Sequence, residues 1–515
     1  MNGRVWIGHF LSLVLCGVVG CSGYTETTKN DPAAKDGAKP FAGRKLGLVV
    51  PAGVGFSTSW DLPVKEWAEQ TGADYGIVEY GLTQQKRPLA ELLGHVSSET
   101  ANRDAAVFVF PITQVAELAA DGLLASIPKE VHTTGNEQAA DSLDWIDFFK
   151  GLRENAASVE GKPTIIPISS PVLVCYYRRD LLDGVQFSPP KTWDEYQQLL
   201  DSLHQWAPGL TAVEPWSEEF RATLFLARAV SSAKHPANFS LFFNINTGKP
   251  LIDSPGFVRA LQRAKKALAK MPPAVKGYSP ADCRREFFSG KAAMAITFET
   301  GPGNPQVPFG PVSRRQKATS PETDSVTGRP ELMVVGFSRL PGDREVYNLS
   351  TKRWESGRNG LNHVALTAYS GLCAGVSANC TPQQAQAAWN LLGTLTRDHL
   401  TVAFPGATKS PCRTSQIFDV ATWVGDDLSA SESQDYLDVV TESLRDMRLV
   451  AELPLVGRDV FRTALTEGIG QALSQEVDAQ QALNAVAQQW RKIVDEIGRQ
   501  KVHNSYRRSL GLRPR

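Results

Sequence analysis

The sequence predicts an α/β protein of more than one domain, and three observations lead to this fold class. The chain has 515 residues, which exceeds the usual length of a single domain. Hydrophobic residues make up 42% of it, enough for a large core. From residue 45 onward, apolar strand-like runs alternate with segments of helical spacing. That alternation is typical of a mostly parallel sheet covered by helices.

A strand–helix–strand unit opens the folded part of the sequence. Lys45 to Val50 (KLGLVV) is a buried strand closed by a Pro/Gly turn, and the segment 63–72 has helical spacing, with proline near its start and glycine at its end. The segment 75–80 returns to a strand, so these residues predict a βαβ unit. The segment 104–110 predicts the next strand, and 114–122 predicts a short helix.

The stretch from Gly161 to Tyr196 is the most informative part of the chain. It holds an apolar, β-rich run from Pro171 to Tyr177 and then a short loop. Thr192 follows, with acidic residues in the next helical turn, and is therefore a predicted helix N-cap. This strand–loop–capped-helix pattern resembles the central signature of the family 1 extracellular solute-binding proteins. These are the sugar-type receptors of ABC importers, of which maltose-binding protein is a member.

Further segments resemble motifs of the same family and occur in the family's order. The opening βαβ unit is one, and the others are VAELAADGLL (115–124), REFFSGKAAM (285–294), VGFSRLPG (335–342), the segment 363–376 with the helix from Gln383, and ALSQEVDAQQALNAVAQQW (472–490). The resemblance covers roughly residues 41 to 497. It implies a two-lobed type 2 periplasmic-binding-protein fold, with a hinge between the lobes near Ile168 to Pro171.

The resemblance also implies domain boundaries. Lobe 1 is expected at 41–168 plus 355–410, and lobe 2 at 169–345 plus 411–497, with a polar insertion at 303–330 and a basic tail at 498–515. The insertion is interpreted as a solvated loop, although its position next to the expected cleft leaves a lid as the alternative. The tail is interpreted as a frayed terminus, with contact to anionic lipid or a transporter as the alternative.

The N-terminus predicts export. Val5 to Val19 is apolar but shorter than the about 20 residues of a membrane span. The run ends at Gly20-Cys21, which resembles a bacterial lipobox and implies a signal peptide at 1–20, with Cys21 as the acylated residue. Residues 21–40 are polar and predict a flexible tether. The implied location is extracytoplasmic and membrane-anchored; an ordinary secretory signal with a chance cysteine is the alternative.

Five cysteines remain after Cys16 leaves with the signal and Cys21 is lipidated. They are Cys175, Cys283, Cys373, Cys380 and Cys412. An odd number leaves at least one unpaired. Cys373 and Cys380 are close enough in sequence to bridge, but free buried thiols are an equal alternative. No Cys/His spacing indicates zinc, so neither a metal nor a cofactor is expected.

A sugar pocket needs aromatic rings for the C–H faces and polar groups for the hydroxyls, placed at strand ends of both lobes. The predicted ligand-binding residues are Phe56, Trp60, Pro111, Thr113, Ser169, Ser170, Glu214, Trp216, Phe298, Glu299, Asn362 and His363. Glu214-Pro215-Trp216 resembles the acidic-Pro-aromatic element of the sugar site in the family. Trp216 is therefore the preferred stacking residue, with packing in the core as its alternative.

The predicted function is that of a receptor. Lys+Arg and Asp+Glu are equal at 54 each, so no basic surface indicates a nucleic acid partner. The sequence has no HExxH, GxSxG elbow or P-loop, and the protein is expected not to be an enzyme. The resemblance implies capture of a carbohydrate-like solute without chemical turnover, and its delivery to ABC permease subunits. A ligand-presenting sensor for a membrane kinase and a secreted glycan-active enzyme are the alternatives.

Overall fold

The computed structural model describes most of the chain. The described residues are 39–53, 55–81, 105–132, 143–299, 333–396, 410–418, 420, 423–425, 427–474 and 476–515. The predicted signal peptide, Cys21, nearly all of the tether and the insertion 303–330 lie outside them. Within these ranges, every helix is too short or too polar to cross a membrane.

Fifteen strands form in the described residues. They are β1 (Lys45–Pro51), β2 (Asp74–Tyr80), β3 (Ala105–Pro111), β4 (Ser158–Val159), β5 (Lys162–Pro163), β6 (Ile166–Pro167), β7 (Val174–Arg178), β8 (Thr211–Val213), β9 (Ala292–Thr297), β10 (Val335–Arg339), β11 (Glu345–Asn348), β12 (Arg353–Ser356), β13 (Leu366–Thr367), β14 (Leu372–Val376) and β15 (Val450–Ala451).

The α-helices of the same residues surround these strands. They are α1 (Phe56–Thr71), α2 (Val115–Ala120), α3 (Lys129–His132), α4 (Lys150–Asn155), α5 (Arg179–Gly184), α6 (Trp193–Asp201), α7 (Leu203–Trp206), α8 (Arg221–Ala233), α9 (Pro255–Leu268), α10 (Pro280–Phe288), α11 (Pro382–Thr396), α12 (Ala430–Arg445), α13 (Arg458–Leu473), α14 (Ala479–Ile497) and α15 (Arg499–Ser509).

Two separate sheets organise the fold. The first has the order β2-β1-β3-β14-β6, in which β1 is parallel to β2 and β3, and β14 is antiparallel to β3 and β6. The second has the order β10-β7-β9-β8. In the second sheet β7 is antiparallel to β9 and β10, and the first sheet has as many antiparallel as parallel pairings, so the expectation of a mostly parallel sheet is wrong. Alternation alone does not reveal such pairings, because strand direction depends on where each connection returns.

The connections between the two sheets bear on the lobe boundaries that the resemblance implies. It leaves the first sheet at β6 and enters the second at β7, which places the first crossing at 168–173. The chain returns to the first lobe later than the predicted boundary near residue 355. The β11–β12 hairpin packs against α8 and α9 of the second lobe, and Asn362 donates hydrogen bonds to Ser231 O (2.7 Å) and Lys234 O (3.2 Å) there.

The predicted N-cap of α6 is confirmed. Thr192 Oγ1 accepts a hydrogen bond from the Glu195 amide at 3.2 Å, and the Glu195 carboxylate accepts one from the Thr192 amide at 3.2 Å. The predicted start of α1 near residue 63 is wrong, because the helix begins at Phe56 and contains Pro63. Phe56, Trp60 and Val64 share one buried face, and their packing extends the helix in the N-terminal direction.

The interpretation of the tail as a frayed terminus is also wrong. Residues 499–509 form α15, in which Val502 and Tyr506 are 2% and 1% exposed. Tyr506 Oη accepts hydrogen bonds from the amides of Leu241 and Phe242, both at 3.0 Å. Because most residues of this segment are basic or polar, the sequence pattern does not reveal that Val502 and Tyr506, four residues apart, pack the helix against the protein.

All five cysteines predicted to remain in the mature protein are free thiols. Cys380 is partly exposed and the other four are buried. Of the alternatives left by the sequence, the structure therefore has free thiols in place of a Cys373–Cys380 bridge.

Candidate functional site

The first crossing is fixed by two serines. Ser169 Oγ accepts a hydrogen bond from the Leu372 amide at 3.1 Å, and Ser170 Oγ is 2.6 Å from Thr367 Oγ1. Both serines are buried. Gly371 has φ +106° and lies so close that a Cβ would be 2.1 Å from Ser169 O. These contacts hold the outgoing strand β6 and the returning strand β14 together at the base of the two lobes.

Three aromatic rings meet beside this crossing, and we call Phe220, Phe298 and Tyr369 the aromatic triad. Tyr369 lies between Thr367 and Gly371 on the returning chain, whereas Phe220 and Phe298 belong to the second lobe. The ring centroids are 5.7 Å apart for Phe220–Tyr369 and 6.3 Å apart for each of the other two pairs. The triad therefore joins aromatic surface from both sides of the crossing.

The Tyr369 hydroxyl is enclosed and makes no hydrogen bond to any residue within the described ranges. Its burial, with Tyr436 and Glu452 nearby, raises the pKa of the phenol well above its usual range, so the group is a neutral donor and acceptor. A buried hydroxyl without a partner costs about 1–3 kcal/mol. Tyr369 Oη is thus a position where an arriving polar group would be stabilised.

Glu299, which directly follows Phe298, is fully engaged by the protein. Its carboxylate accepts hydrogen bonds from Arg284 Nε (3.0 Å), Arg284 Nη2 (2.9 Å), Tyr176 Oη (2.8 Å) and the Gly425 amide (3.2 Å). Its own amide donates to Tyr436 Oη at 2.9 Å. This buried carboxylate connects the second sheet to α10 and α12 and is held as a structural anion.

Glu452, which directly follows β15, forms a second buried cluster. It accepts hydrogen bonds from Thr223 Oγ1 (2.9 Å), Arg458 Nη2 (3.0 Å) and Arg462 Nε (3.2 Å). Its amide donates to Thr367 O at 2.9 Å, next to the Ser170 contact. A cavity of about 30 Å³ beside Glu452 is also lined by Thr113. That volume suits water and is far below the several hundred Å³ of a typical ligand pocket.

Glu214 and Trp216 lie in the core of the second lobe. Both are 0% exposed, and Trp216 Nε1 donates to the Glu214 carboxylate at 3.0 Å. Arg228 Nη1 pairs with the same carboxylate at 2.6 Å, and its guanidinium lies 3.9 Å from the Trp193 ring centroid. The Trp216 ring has no exposed face and its indole N–H is already bonded to Glu214 of the same lobe, so this geometry favours packing over stacking on a solute.

Asn362 and His363 lie near the return crossing but do not reach the triad through any described contact. Asn362 is buried against α8, as above. His363 is half-buried, and burial, followed by the charges of Arg339 and Arg448, lowers its pKa to about 4. The ring is therefore neutral at physiological pH and contributes no charge to the site.

The remaining predicted residues belong to the first lobe. Phe56 and Trp60 are buried in α1, with ring centroids 5.0 Å apart in an edge-on arrangement. Pro111 ends β3 and pairs with Leu372, and Thr113 follows in the next turn. Both are partly exposed. These two residues lie at the strand ends that face the crossing, whereas Phe56 and Trp60 serve the core.

The structure thus brings Ser169, Ser170, Phe298 and Glu299 to the crossing. Sequence reasoning missed Phe220, Tyr369 and Glu452. A signal existed for Tyr369, because it lies just before β14 in a segment identified as a returning strand. Phe220 follows the Glu-Pro-Trp element within a turn that sequence patterns do not resolve.

Comparisons with known proteins show the family to which the chain belongs. The profile of the family described as bacterial extracellular solute-binding protein matches residues 66–409 of the 515. A sequence comparison with curated proteins finds no match.

Solved structures share the fold at low sequence identity. The sugar-binding protein MalE from Xanthomonas citri is 16% identical, with a TM-score of 0.62, covering 88% of this chain and 98% of its own. An ABC transporter solute-binding protein from Agrobacterium radiobacter, in complex with ribitol, is 20% identical with a TM-score of 0.58 and coverages of 88% and 100%. Maltose-bound MalE3 of T. maritima is 17% identical with a TM-score of 0.56 and coverages of 87% and 99%. The chain has a two-lobed α/β fold and belongs to the bacterial extracellular solute-binding proteins.

Proposed function

We propose that this protein captures an uncharged, carbohydrate-like solute between its lobes and delivers it to an ABC permease without chemical turnover. The observation that carries the proposal is the aromatic triad, which gathers rings from both sides of the crossing beside the enclosed Tyr369 hydroxyl. Sugars and polyols present C–H faces to such rings and hydroxyls to such polar groups. The structures that share the fold include complexes with maltose and ribitol.

The charges near the triad favour an uncharged solute. Glu299 is paired with Arg284, and Glu452 with Arg458 and Arg462. Each carboxylate already has the partner that a cationic ligand would supply, and the arginines already have the partner that an anionic ligand would supply. The protein therefore distinguishes one solute from another by ring contacts and by hydrogen bonds from neutral groups such as Tyr369 Oη.

Movement of the lobes about a hinge at the crossing would let a solute reach the aromatic triad. In the structure the triad rings contact each other, so a solute reaches them when Tyr369 separates from Phe220 and Phe298. A ligand that contacts both lobes binds the closed form better and shifts the population toward closure. Ring stacking contributes roughly 0.5–1.5 kcal/mol per ring, so exclusion of water on closure has to supply part of a micromolar affinity.

The Tyr369→Phe variant tests the site. We expect its thermal stability to equal or exceed that of the parent, because the substitution removes a buried hydroxyl without a described partner. We expect its affinity to fall about threefold to tenfold, as for the loss of one hydrogen bond worth about 0.5–1.5 kcal/mol. Isothermal titration measures this with whichever of maltose, ribitol or mannitol stabilises the parent in a thermal-shift series.

Tyr436→Phe is the matched control. Tyr436 Oη accepts the Glu299 amide at 2.9 Å, so its removal should lower stability and leave affinity nearly unchanged. If Tyr369→Phe binds as tightly as the parent, Tyr369 has only a packing role. Stabilisation by peptides, polyamines or metals and by no sugar or polyol would contradict the carbohydrate assignment, and product formation at catalytic rates would contradict the receptor.

We also propose that Cys21 is lipidated and tethers the protein to a membrane on its extracytoplasmic side. The apolar run that ends at Gly20-Cys21 supports this, as does the polar stretch behind it. Cys21→Ser should release the protein into the soluble fraction and abolish labelling with a fatty-acid analogue. Equal membrane retention of variant and parent, with no lipid on either, would refute the tether.

A further inference from the structure

The C-terminal helix α15 contacts both lobes. On the second lobe its contacts are buried: besides the two bonds to Tyr506, Ser505 Oγ accepts the Val456 amide at 3.0 Å, and Arg507 Nη1 donates to Ile245 O at 2.9 Å. Ser505, Tyr506 and Arg507 are each less than one-tenth exposed. These buried contacts attach α15 to the second lobe.

Other side chains of α15 meet the first lobe through exposed ion pairs. The helix packs against α2, and Lys501 Nζ lies 3.4 Å from the Asp121 carboxylate. Arg508 Nε is 2.8 Å from Glu160 Oε1, and Arg508 O accepts the Glu160 amide at 2.8 Å. The four charged side chains are 32–51% exposed, so both ion pairs are in contact with water.

This asymmetry suggests which contacts break first. Burial of Tyr506 and its two amide bonds is costly to undo, whereas each exposed ion pair is weaker than such buried contacts and exchanges more readily with water. Opening of the lobes changes the distance between Asp121 or Glu160 and the second lobe. A helix fixed to the second lobe must then leave the first lobe.

We propose that α15 is a latch that stabilises the closed arrangement of the lobes and is released when they open. The inference rests on the proposed function, because it assumes that the lobes move about the crossing. Its consequence is regulatory: the latch sets how often the protein opens without solute, and so both the rate of solute entry and the rate of release.

The test measures the distance between the lobes in the full mature chain without solute. Spin labels at the exposed positions Glu130 and Gln262, one on each lobe, report open and closed populations. The latch variant is Lys501→Glu/Arg508→Glu. Because it replaces two exposed attractions by repulsions, we expect the ratio of open to closed forms to rise on the order of tenfold.

Two variants control the result. Arg499→Glu makes one such charge reversal on the same helix, where Arg499 pairs with Asp495 on the second lobe and is 80% exposed, and should leave the distances unchanged. Adding Asp121→Lys/Glu160→Lys to the latch variant restores both pairs with reversed signs and should restore the parental distances. Unfolding curves for each variant verify the fold.

Parental distances in the latch variant, or equal changes in the latch variant and Arg499→Glu, would overturn the latch. The measurement uses no solute, so it decides the latch whether or not a sugar binds. Failure of every sugar and polyol to stabilise the parent would instead count against the proposed solute.

Discussion

Arg284→Met is expected to lower the free energy of unfolding by about 3–5 kcal/mol, because it leaves the charge of Glu299 buried without its cation. Glu299 is 1% exposed, and Arg284 supplies two of its hydrogen bonds. Tyr176 and the Gly425 amide remain as donors but bring no opposite charge. Urea unfolding followed by tryptophan fluorescence measures the loss as a change in midpoint at constant slope.

The neighbouring Arg285→Met is the matched control. Arg285 has the same side chain one position along α10, but it is 45% exposed and pairs with Asp282 near the surface. We expect it to cost less than about 1 kcal/mol. The double variant Arg284→Met/Glu299→Gln removes the stranded charge and should recover part of the loss. Equal losses for Arg284→Met and Arg285→Met would contradict the role given to Glu299.

The sequence predicted those parts of the fold that local patterns encode. The strand predicted at 45–50 and the capped helix after Thr192 follow from periodicity, turn residues and caps, whereas the crossing near residue 168 was implied by the family resemblance. The predicted start of α1 was wrong because burial of Phe56 and Trp60 outweighs the usual preference for proline in the first turn. The packing of α15 against the protein was missed because it depends on two apolar residues, Val502 and Tyr506, in a segment that is otherwise mostly basic or polar.

The site was harder to predict because its decisive contacts are distant in sequence. Glu214 and Glu299 were chosen as loop carboxylates, yet Arg228 and Arg284 already hold them. Only the fold shows which carboxylates have such a partner. Tyr369 illustrates the converse: its hydroxyl is notable because no described group bonds to it, and no sequence pattern contains that information.

Trp216→Ala is expected to cost about 3–5 kcal/mol of stability, as for the removal of a large buried aromatic side chain. Trp216 is 0% exposed, and the substitution also removes the indole hydrogen bond to Glu214, which would keep only Arg228 as a charged partner. Chemical unfolding measures the loss. Titration at a temperature where the variant is folded should then show parental affinity, because the triad at the crossing is unchanged.

Trp354→Ala is the control that shows whether the loss of stability is specific to Trp216 or follows the removal of any tryptophan side chain. Trp354 is partly exposed on β12, with the Arg259 guanidinium 3.1 Å above its ring and Tyr347 5.4 Å away, so its removal should cost only about 1–2 kcal/mol. The sequence predicts instead that Trp216 stacks on the solute. If that holds, Trp216→Ala would keep its stability and lose about 1–3 kcal/mol of binding. The two roles thus predict opposite pairs of results, and the placement of Trp216 between Glu214 and the core favours the loss of stability.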